Sequence, residues 1–237
     1  MKILLVNDDG YQAEGIKILE DELKEYGEVY VVAPYEYMSG KSIGLTIYVG
    51  FKTHKIDDHH FAIEGTPADC TAYGLCCLGQ KFDLVVSGIN DGLNITYDIM
   101  HSGTIGACVE ALQYGVPAVA FSHNHNPEFV KPLVKEAFDW VLKNNLISTE
   151  HIVNINFPRF NEYKGIKLAK VLMRHDNRYF DVEGDMVTPK RVMDDHSIYD
   201  KESEIFLVND GYCAVSLLVQ DLYREDKYEQ YKKIIKE

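Results

Sequence analysis

The sequence predicts an α/β fold built on a doubly wound, mostly parallel sheet. Three observations carry that prediction. Short apolar runs recur along residues 1–158, most of them closed by Gly, Pro, Asn or Asp. Between them lie stretches with apolar residues three and four apart, the spacing of one helix face. The first 34 residues already read strand, helix, strand, and such a βαβ unit makes parallel sheets with right-handed crossovers.

"KILLVN" (2–7) is a short apolar run ending in a turn signal, a buried strand. "AEGIKILEDELKEYG" (13–27) places Ile16, Leu19 and Leu23 on one helix face, with Gly27 as the stop. "EVYVVAP" (28–34) is the second strand, closed by Pro34, and 35–44 is a loop rich in Gly, Ser and Lys. Residues 45–65 alternate polar and apolar side chains and predict a hairpin excursion. "TPADCTAYGLCCLG" opens with Thr66 as helix cap, Pro67 at the first helical position and Asp69 two further on. "FDLVVSG" (82–88) is the third core strand. "GTIGACVEALQYG" (103–115) is a helix with Ile105, Cys108, Val109 and Leu112 on one face, and "PAVAFS" (117–122) is a strand. "EFVKPLVKEAFDWVLKNN" (128–145) is a helix settling after Pro132, with Val134, Phe138 and Val141 inward. "HIVNINFP" (151–158) is a further strand.

After Pro158 the pattern changes. Residues 159–203 are polar with weak periodicity, 204–219 read as a hairpin turning at Asn209-Asp210-Gly211, and 221–237 read as a terminal helix capped by Asp221. The prediction is one domain: a core over 1–158 carrying the site, and an extension over 159–237 too thin in apolar residues to fold alone.

Composition narrows the function. The chain has 237 residues, 46% hydrophobic and 26% charged, ordinary for a globular protein. No apolar run is long enough to span a bilayer, and the opening run is too short for a secretory signal, which predicts a cytoplasmic protein. A net charge of −13 repels nucleic-acid polymers. A small anion would need a local device such as a metal, a helix N-terminus or a nest of N–H groups. Five cysteines without a CxxC pair read as reduced thiols rather than a zinc site or disulfide framework.

In such sheets ligands bind beyond the C-terminal strand ends. The first strand delivers Asn7, Asp8, Asp9 and Gly10 there, the second delivers Ser39 and Ser42, and the third delivers Ser87, Asn90, Asp91 and Asn94. The chain then continues through Asp98 and His101 to Ser102, Gly103 and Thr104 before a helix. Adjacent carboxylates repel, and a divalent cation relieves that. Carboxylate, amide and hydroxyl oxygens are hard ligands suited to Mg²⁺ or Mn²⁺. Asp8-Asp9-Gly10 also fits a plain turn with a helix cap, but the other polar loops at the same edge favour a site. Ser102, Gly103 and Thr104 open a helix, where free N–H groups and the dipole favour phosphate. A metal site beside a phosphate cradle fits metal-assisted phosphate-ester hydrolysis. The histidines of "HNH" (123–125) and "DDHH" (57–60) read as exposed loop residues. The absence of GxGxxG, GxxxxGK[ST] and GxSxG argues against NAD, P-loop and α/β-hydrolase chemistry.

"MKILLVNDDG", "VVAPYEYMSGKSIGLT", "GTPADC", "DLVVSGINDGLN", "HSGTIGACVEA" and "DGYCAVSLL" occur in one order that resembles the SurE family of survival-protein nucleotidases. The resemblance covers most of 1–122, with a weaker echo near 204–222. It implies a Rossmann-like core and a C-terminal extension exchanged between subunits of a homodimer or homotetramer. It implies a metal-dependent phosphatase acting on nucleoside 5′-monophosphates, also on 3′-monophosphates and short polyphosphate. Carried over by motif, Asp8, Asp9, Ser39 and Asn90 hold one divalent cation per subunit, and Asn94, Ser102, Gly103 and Thr104 contact phosphate. Asp8 or Asp9 would be the general base. The sequence departs from the family at His101, where Tyr is usual, at "SLLVQDL", and across 159–203. Two rival readings remain. One is a receiver-like signalling domain, which needs a phospho-accepting Asp where Ser87 stands. The other is a non-catalytic nucleotide-binding protein of the same fold.

Overall fold

The computed structural model describes residues 1–173, 178–191, 199–219, 230, 232 and 233. In chain order the elements are β1 (Lys2–Val6), α1 (Glu14–Leu23), β2 (Glu28–Pro34), β3 (Thr53–Lys55), β4 (His60–Ile63), α2 (Pro67–Cys77), β5 (Leu84–Asp91) and α3 (Asp98–His101). They continue through α4 (Gly103–Gln113), β6 (Ala118–His123), α5 (Pro127–Lys143), β7 (Ile152–Asn156), β8 (Ile166–Leu168), β9 (Arg178–Glu183), β10 (Met186–Arg191), α6 (Glu204–Asn209) and β11 (Cys213–Leu218).

A nine-stranded sheet runs β3-β4-β2-β1-β5-β6-β7-β11-β8, and β9 and β10 pair separately. From β4 to β7 every neighbour pairs in parallel. This is the doubly wound order, in which the direction of winding reverses between β1 and β5. Alternate residues of β1 serve opposite faces, as the pleat requires. Ile3 and Leu5 pack with Ile16, Leu19 and Leu23 of α1 and Val134, Phe138 and Val141 of α5. Leu4 and Val6 pack on the other face with Cys70 of α2 and Ile105, Cys108 and Leu112 of α4. A third cluster joins Leu93 and Ile95, just after β5, to Ile205, Leu207 and Val208 of α6. Among the described residues no helix is long and apolar enough to cross a membrane.

Several local expectations are corrected. Helix α1 stops at Leu23, four residues before Gly27. That glycine serves a close approach instead: a Cβ there would lie 1.8 Å from the Met1 carbonyl oxygen. The 45–65 excursion is a hairpin only over Thr53–Lys55 and Phe61–Ile63, and its second strand joins the main sheet parallel to β2. Helix α5 starts at Pro127, capped by the Asn126 side chain accepting from the Phe129 N–H, and Pro132 lies inside it. Pro132 forfeits the ladder bond to the Glu128 carbonyl, yet the Asn126 cap and Pro127 at the first position start the helix before it.

The extension departs most. Its hairpin is β9–β10, not 204–219. Residues 204–209 are α6, capped by Ser203, whose hydroxyl accepts from the Phe206 N–H. After Gly211, at φ +89°, the chain re-enters the main sheet as β11, antiparallel to β7 and parallel to β8. The helix expected over 221–237 falls outside the described residues apart from 230, 232 and 233.

Candidate active site

The reversal between β1 and β5 opens a crevice at their C-terminal ends, and the candidate residues converge there. A cleft of about 360 Å³ is lined by Asp8, Ser39, Asn90, Asn94, Asp98, His101 and Ser102, with Asn124, His125 and Arg159 also on its wall. The side chains arrive by different local devices. Asn7, at the end of β1, folds the turn on itself: its Nδ2 donates to the Gly10 carbonyl at 2.8 Å and its Oδ1 accepts from the Gly10 N–H at 3.2 Å. That leaves Asp8 pointing into the interior, 1% exposed.

Asn90 is aimed by a bulge. Between Ser87 and Asn90 strand β5 carries one residue more than β6 does between Ala120 and Ser122. Such an insertion re-aims the side chains that follow it. Gly88 makes it possible at φ +131°, where a Cβ would meet the Phe121 carbonyl oxygen at 2.3 Å. The Asn90 Nδ2 donates to the Gly92 carbonyl at 2.7 Å, while its Oδ1 is buried without a hydrogen-bond partner. A buried amide oxygen left unpaired costs free energy unless something occupies it, and it shares the cleft with Asp8.

Helix α4 faces Asp8 with its N-terminus. Thr104 Oγ1 donates to Asp8 Oδ1 at 2.7 Å. A Cβ on Gly103 would lie 2.9 Å from the Asp8 Cβ, so glycine lets the helix end touch the acid. Burial pushes the Asp8 carboxyl up, and hydrogen bonds from the Thr104 side chain and the Gly103 and Thr104 backbone oppose that. Ser102 caps α4, its hydroxyl oxygen accepting from the Ile105 N–H at 3.1 Å. The hydroxyl proton remains for a ligand.

Asp9 turns into an adjoining hollow lined by Glu14, Asp91, His123 and His125. Its Oδ2 accepts from the Asp91 N–H at 3.0 Å. Burial, then the charges of Asp8 and Asp91, push its carboxyl up to about 6. His125 Nδ1 lies 2.8 Å from Asp91 Oδ1, and burial holds His123 below the ordinary histidine range. Ser42 does not line the cleft. Its hydroxyl donates to the Met100 carbonyl at 2.7 Å and its N–H to the His101 carbonyl at 3.0 Å, pinning the loop that carries Ser39. Asn94 Nδ2 donates to Ser122 Oγ at 2.9 Å, which uses one of its two protons. Ser87 is fully buried.

Asp8, Ser39, Asn90, Asn94 and Ser102 thus share one cleft. Asp9 stands beside it, and Gly103 and Thr104 stand behind Asp8. Among the described residues no group of three or more His, Cys, Asp or Glu could hold a metal. The candidate set differs in kind, with two carboxylates, one amide and one hydroxyl. Sequence reasoning missed Asn124 and Arg159 and set His125 aside. All three follow the C-terminal ends of β6 and β7, so the strand-end rule that found Asp8 and Asn90 reaches them too.

The family model described as Survival protein SurE matches residues 3–178. A 5′-nucleotidase SurE of Clostridium beijerinckii is 34% identical over 236 residues, covering 92% of each chain. A 5′-nucleotidase SurE of Albidiferax ferrireducens is 41% identical over 183 residues, covering 74% of this chain and 72% of its own. The crystal structure of the SurE protein from Aquifex aeolicus superposes with a TM-score of 0.87 at 31% identity over 99% of each chain. With the doubly wound order, the acid-lined crevice and these matches in agreement, the chain belongs to the SurE family.

Proposed function

We propose that this protein is a metal-dependent 5′-nucleotidase that hydrolyses nucleoside 5′-monophosphates to nucleoside and phosphate, with 3′-monophosphates and short polyphosphate as further substrates. The observation that carries the reading is the unpartnered buried oxygen of Asn90 in one cleft with Asp8 and the Ser102 cap of α4. Asp8, Asp9, Ser39 and Asn90 offer hard oxygen donors that fit one Mg²⁺ or Mn²⁺ per subunit. When bound, such a cation supplies positive charge to a phosphoryl oxygen and acidifies a water.

The chain's own residues do the rest. Ser102 Oγ and the remaining amide proton of Asn94 donate to the phosphate and stabilise charge growing on its oxygens. Gly103 and Thr104 complete the cradle by holding Asp8 against the start of α4. The Asp8–Asp9 pair takes the proton of the attacking water as general base. The receiver-domain reading finds no support, because the position that would accept the phosphoryl group is the buried Ser87.

The extension is the proposed subunit contact of a homodimer or homotetramer. Tyr179, Phe180, Val182, Met186 and Val187 of the β9–β10 hairpin are all more than half exposed or at that limit, 50–71%. Five free cysteines support a reducing, cytoplasmic setting.

The test is phosphate release from a panel of nucleoside 5′- and 3′-monophosphates with Mg²⁺, Mn²⁺ or EDTA, on the wild type and Asp9→Asn. Release lost in EDTA and in Asp9→Asn is expected. Wild-type turnover by Asp9→Asn overturns the ligand assignment. No release with any metal, from folded protein, overturns the enzyme reading in favour of silent nucleotide binding.

A further inference from the structure

Residues 92–97 leave β5 as a loop without repeating structure and carry Asn94 to the cleft. The backbone of this loop is fastened from behind. The Asn94 N–H donates to Asn156 Oδ1 at 2.8 Å, and the Asn94 carbonyl accepts from Asn156 Nδ2 at 3.1 Å and Asn154 Nδ2 at 2.9 Å. Two residues on, the Thr96 N–H donates to Glu204 Oε1 at 2.6 Å. Thr96 stands at φ +53°, a region that β-branched residues rarely occupy. It persists only where the surroundings over-determine it.

The fasteners come from distant chain segments, β7 and α6, and are almost wholly buried: Asn154, Asn156 and Glu204 are each 0% exposed. The second Glu204 oxygen accepts from Ser216 Oγ at 3.3 Å, and Ser216 Oγ also accepts from Asn154 Nδ2 at 3.2 Å. A position that needed only to fill space would carry an apolar side chain at lower cost than a buried amide or carboxylate. What this network holds, beyond its own members, is the backbone at residues 94 and 96.

We propose that Asn156 and Glu204 are positioning residues for Asn94: by fixing the backbone of loop 92–97 they set where its amide meets the substrate phosphate. The inference rests on the reading of Asn94 as a phosphate donor. It makes the extension, through Glu204 and Ser216, part of the active-site scaffold of its own chain, in addition to any role between subunits.

A double-mutant cycle on the full chain tests it, with a nucleoside 5′-monophosphate and saturating Mn²⁺, well below the melting temperature of every variant. Asn156→Ala should lower kcat/KM by roughly 10- to 100-fold, the effect of displacing a contact by about 1 Å. Because Asn156 acts through Asn94, the double variant N94A/N156A should lose no more than N94A alone. Glu204→Ala should behave like N156A. Glu204→Gln keeps a carbonyl acceptor for the Thr96 N–H, and the Ser216 hydroxyl can accept from the new amide, so E204Q should stay within about threefold of wild type. Should N156A fail to fold, E204A and E204Q enter the same cycle with N94A. Additive losses in the double variant, or wild-type kcat/KM in N156A beside a damaged N94A, overturn the inference and leave the Asn94 reading standing. Wild-type kcat/KM in N94A overturns that reading, and this inference with it.

Discussion

Thr104→Val changes one atom where the site is most tightly built. Thr104 is 0% exposed, and its hydroxyl donates to Asp8 Oδ1 at 2.7 Å. Valine keeps the shape and removes the donor, so the effect is electrostatic rather than a cavity. A buried hydrogen bond to a charged group is worth about 1.5–3 kcal/mol, roughly 10- to 100-fold in an equilibrium constant. Burial already pushes the Asp8 carboxyl up, and the Thr104 hydroxyl is the foremost group opposing it. Without it the proton binds Asp8 more tightly, and the carboxylate loses the bond that orients it toward a cation. Loss of such an orienting partner typically weakens metal binding roughly 10- to 100-fold, so T104V should bind Mn²⁺ that much more weakly, and the acid limb of its pH–rate profile should move to higher pH. Thr104→Ser restores the donor and should restore both. The assay is calorimetric Mn²⁺ titration of folded protein, followed by rates from pH 5 to 9. A T104V protein with wild-type Mn²⁺ affinity and an unmoved acid limb refutes the argument that Thr104 serves the site through Asp8.

Gly103→Ala tests the same contact sterically: its Cβ would meet Asp8 Cβ at 2.9 Å, Asp8 Oδ2 at 3.0 Å and Pro67 Cγ at 3.0 Å. Overpacking should cost about 1–3 kcal/mol of stability and most of the turnover, whereas Gly50→Ala, with nothing within 4 Å, should change neither; equal urea midpoints and rates for the two variants rule the clash out. A pH series tests the buried carboxyls. Burial pushes Glu204 up to about 7, with the Thr96 N–H and Ser216 hydroxyl opposing it. An acid raised this way binds its proton more tightly folded than unfolded, so its stability contribution is full below its unfolded pKa and is lost as pH rises through about 7. The unfolding free energy of wild type minus that of E204Q should thus fall by up to about 3 kcal/mol between pH 4.5 and 8. A flat difference in urea unfolding rejects it. Asp9, at about 6, acts with the same sign over a lower window on each protein's own stability and drops out of the difference between them.

The parts of the fold legible in the sequence are those fixed by local chemistry. Strand β2 occupies the residues its apolar run marks out, Val29 to Ala33 bounded by exposed Glu28 and by Pro34. The Thr66-Pro67-Asp69 signal forms the full capping box, with both reciprocal bonds made. The strand-end rule needed no side-chain geometry to gather Asp8, Asn90 and Asn94. Helix α6 was not legible for the converse reason. Its six residues are too few to show a 3.6 period, and Asn209-Asp210-Gly211 carries an ordinary hairpin signal. The Ser203 cap is local, but what settles the helix is tertiary: the burial of Ile205, Leu207 and Val208 against Leu93 and Ile95.

Strand β7 holds the more instructive lesson. "IVNIN" places its asparagines two apart, and residues two apart on a strand share a face. Val153 and Ile155 supply the hydrophobic cluster on one side of the sheet, so Asn154 and Asn156 occupy the other. Both are fully buried. Ile152 shares that second face in an apolar cluster, and the buried amides beside it call for polar backbone across from them, although Asn154 Oδ1 has no hydrogen-bond partner. Here that backbone is Asn94. The alternation therefore carried, within five residues, the information that an irregular polar loop is held at that point in the core.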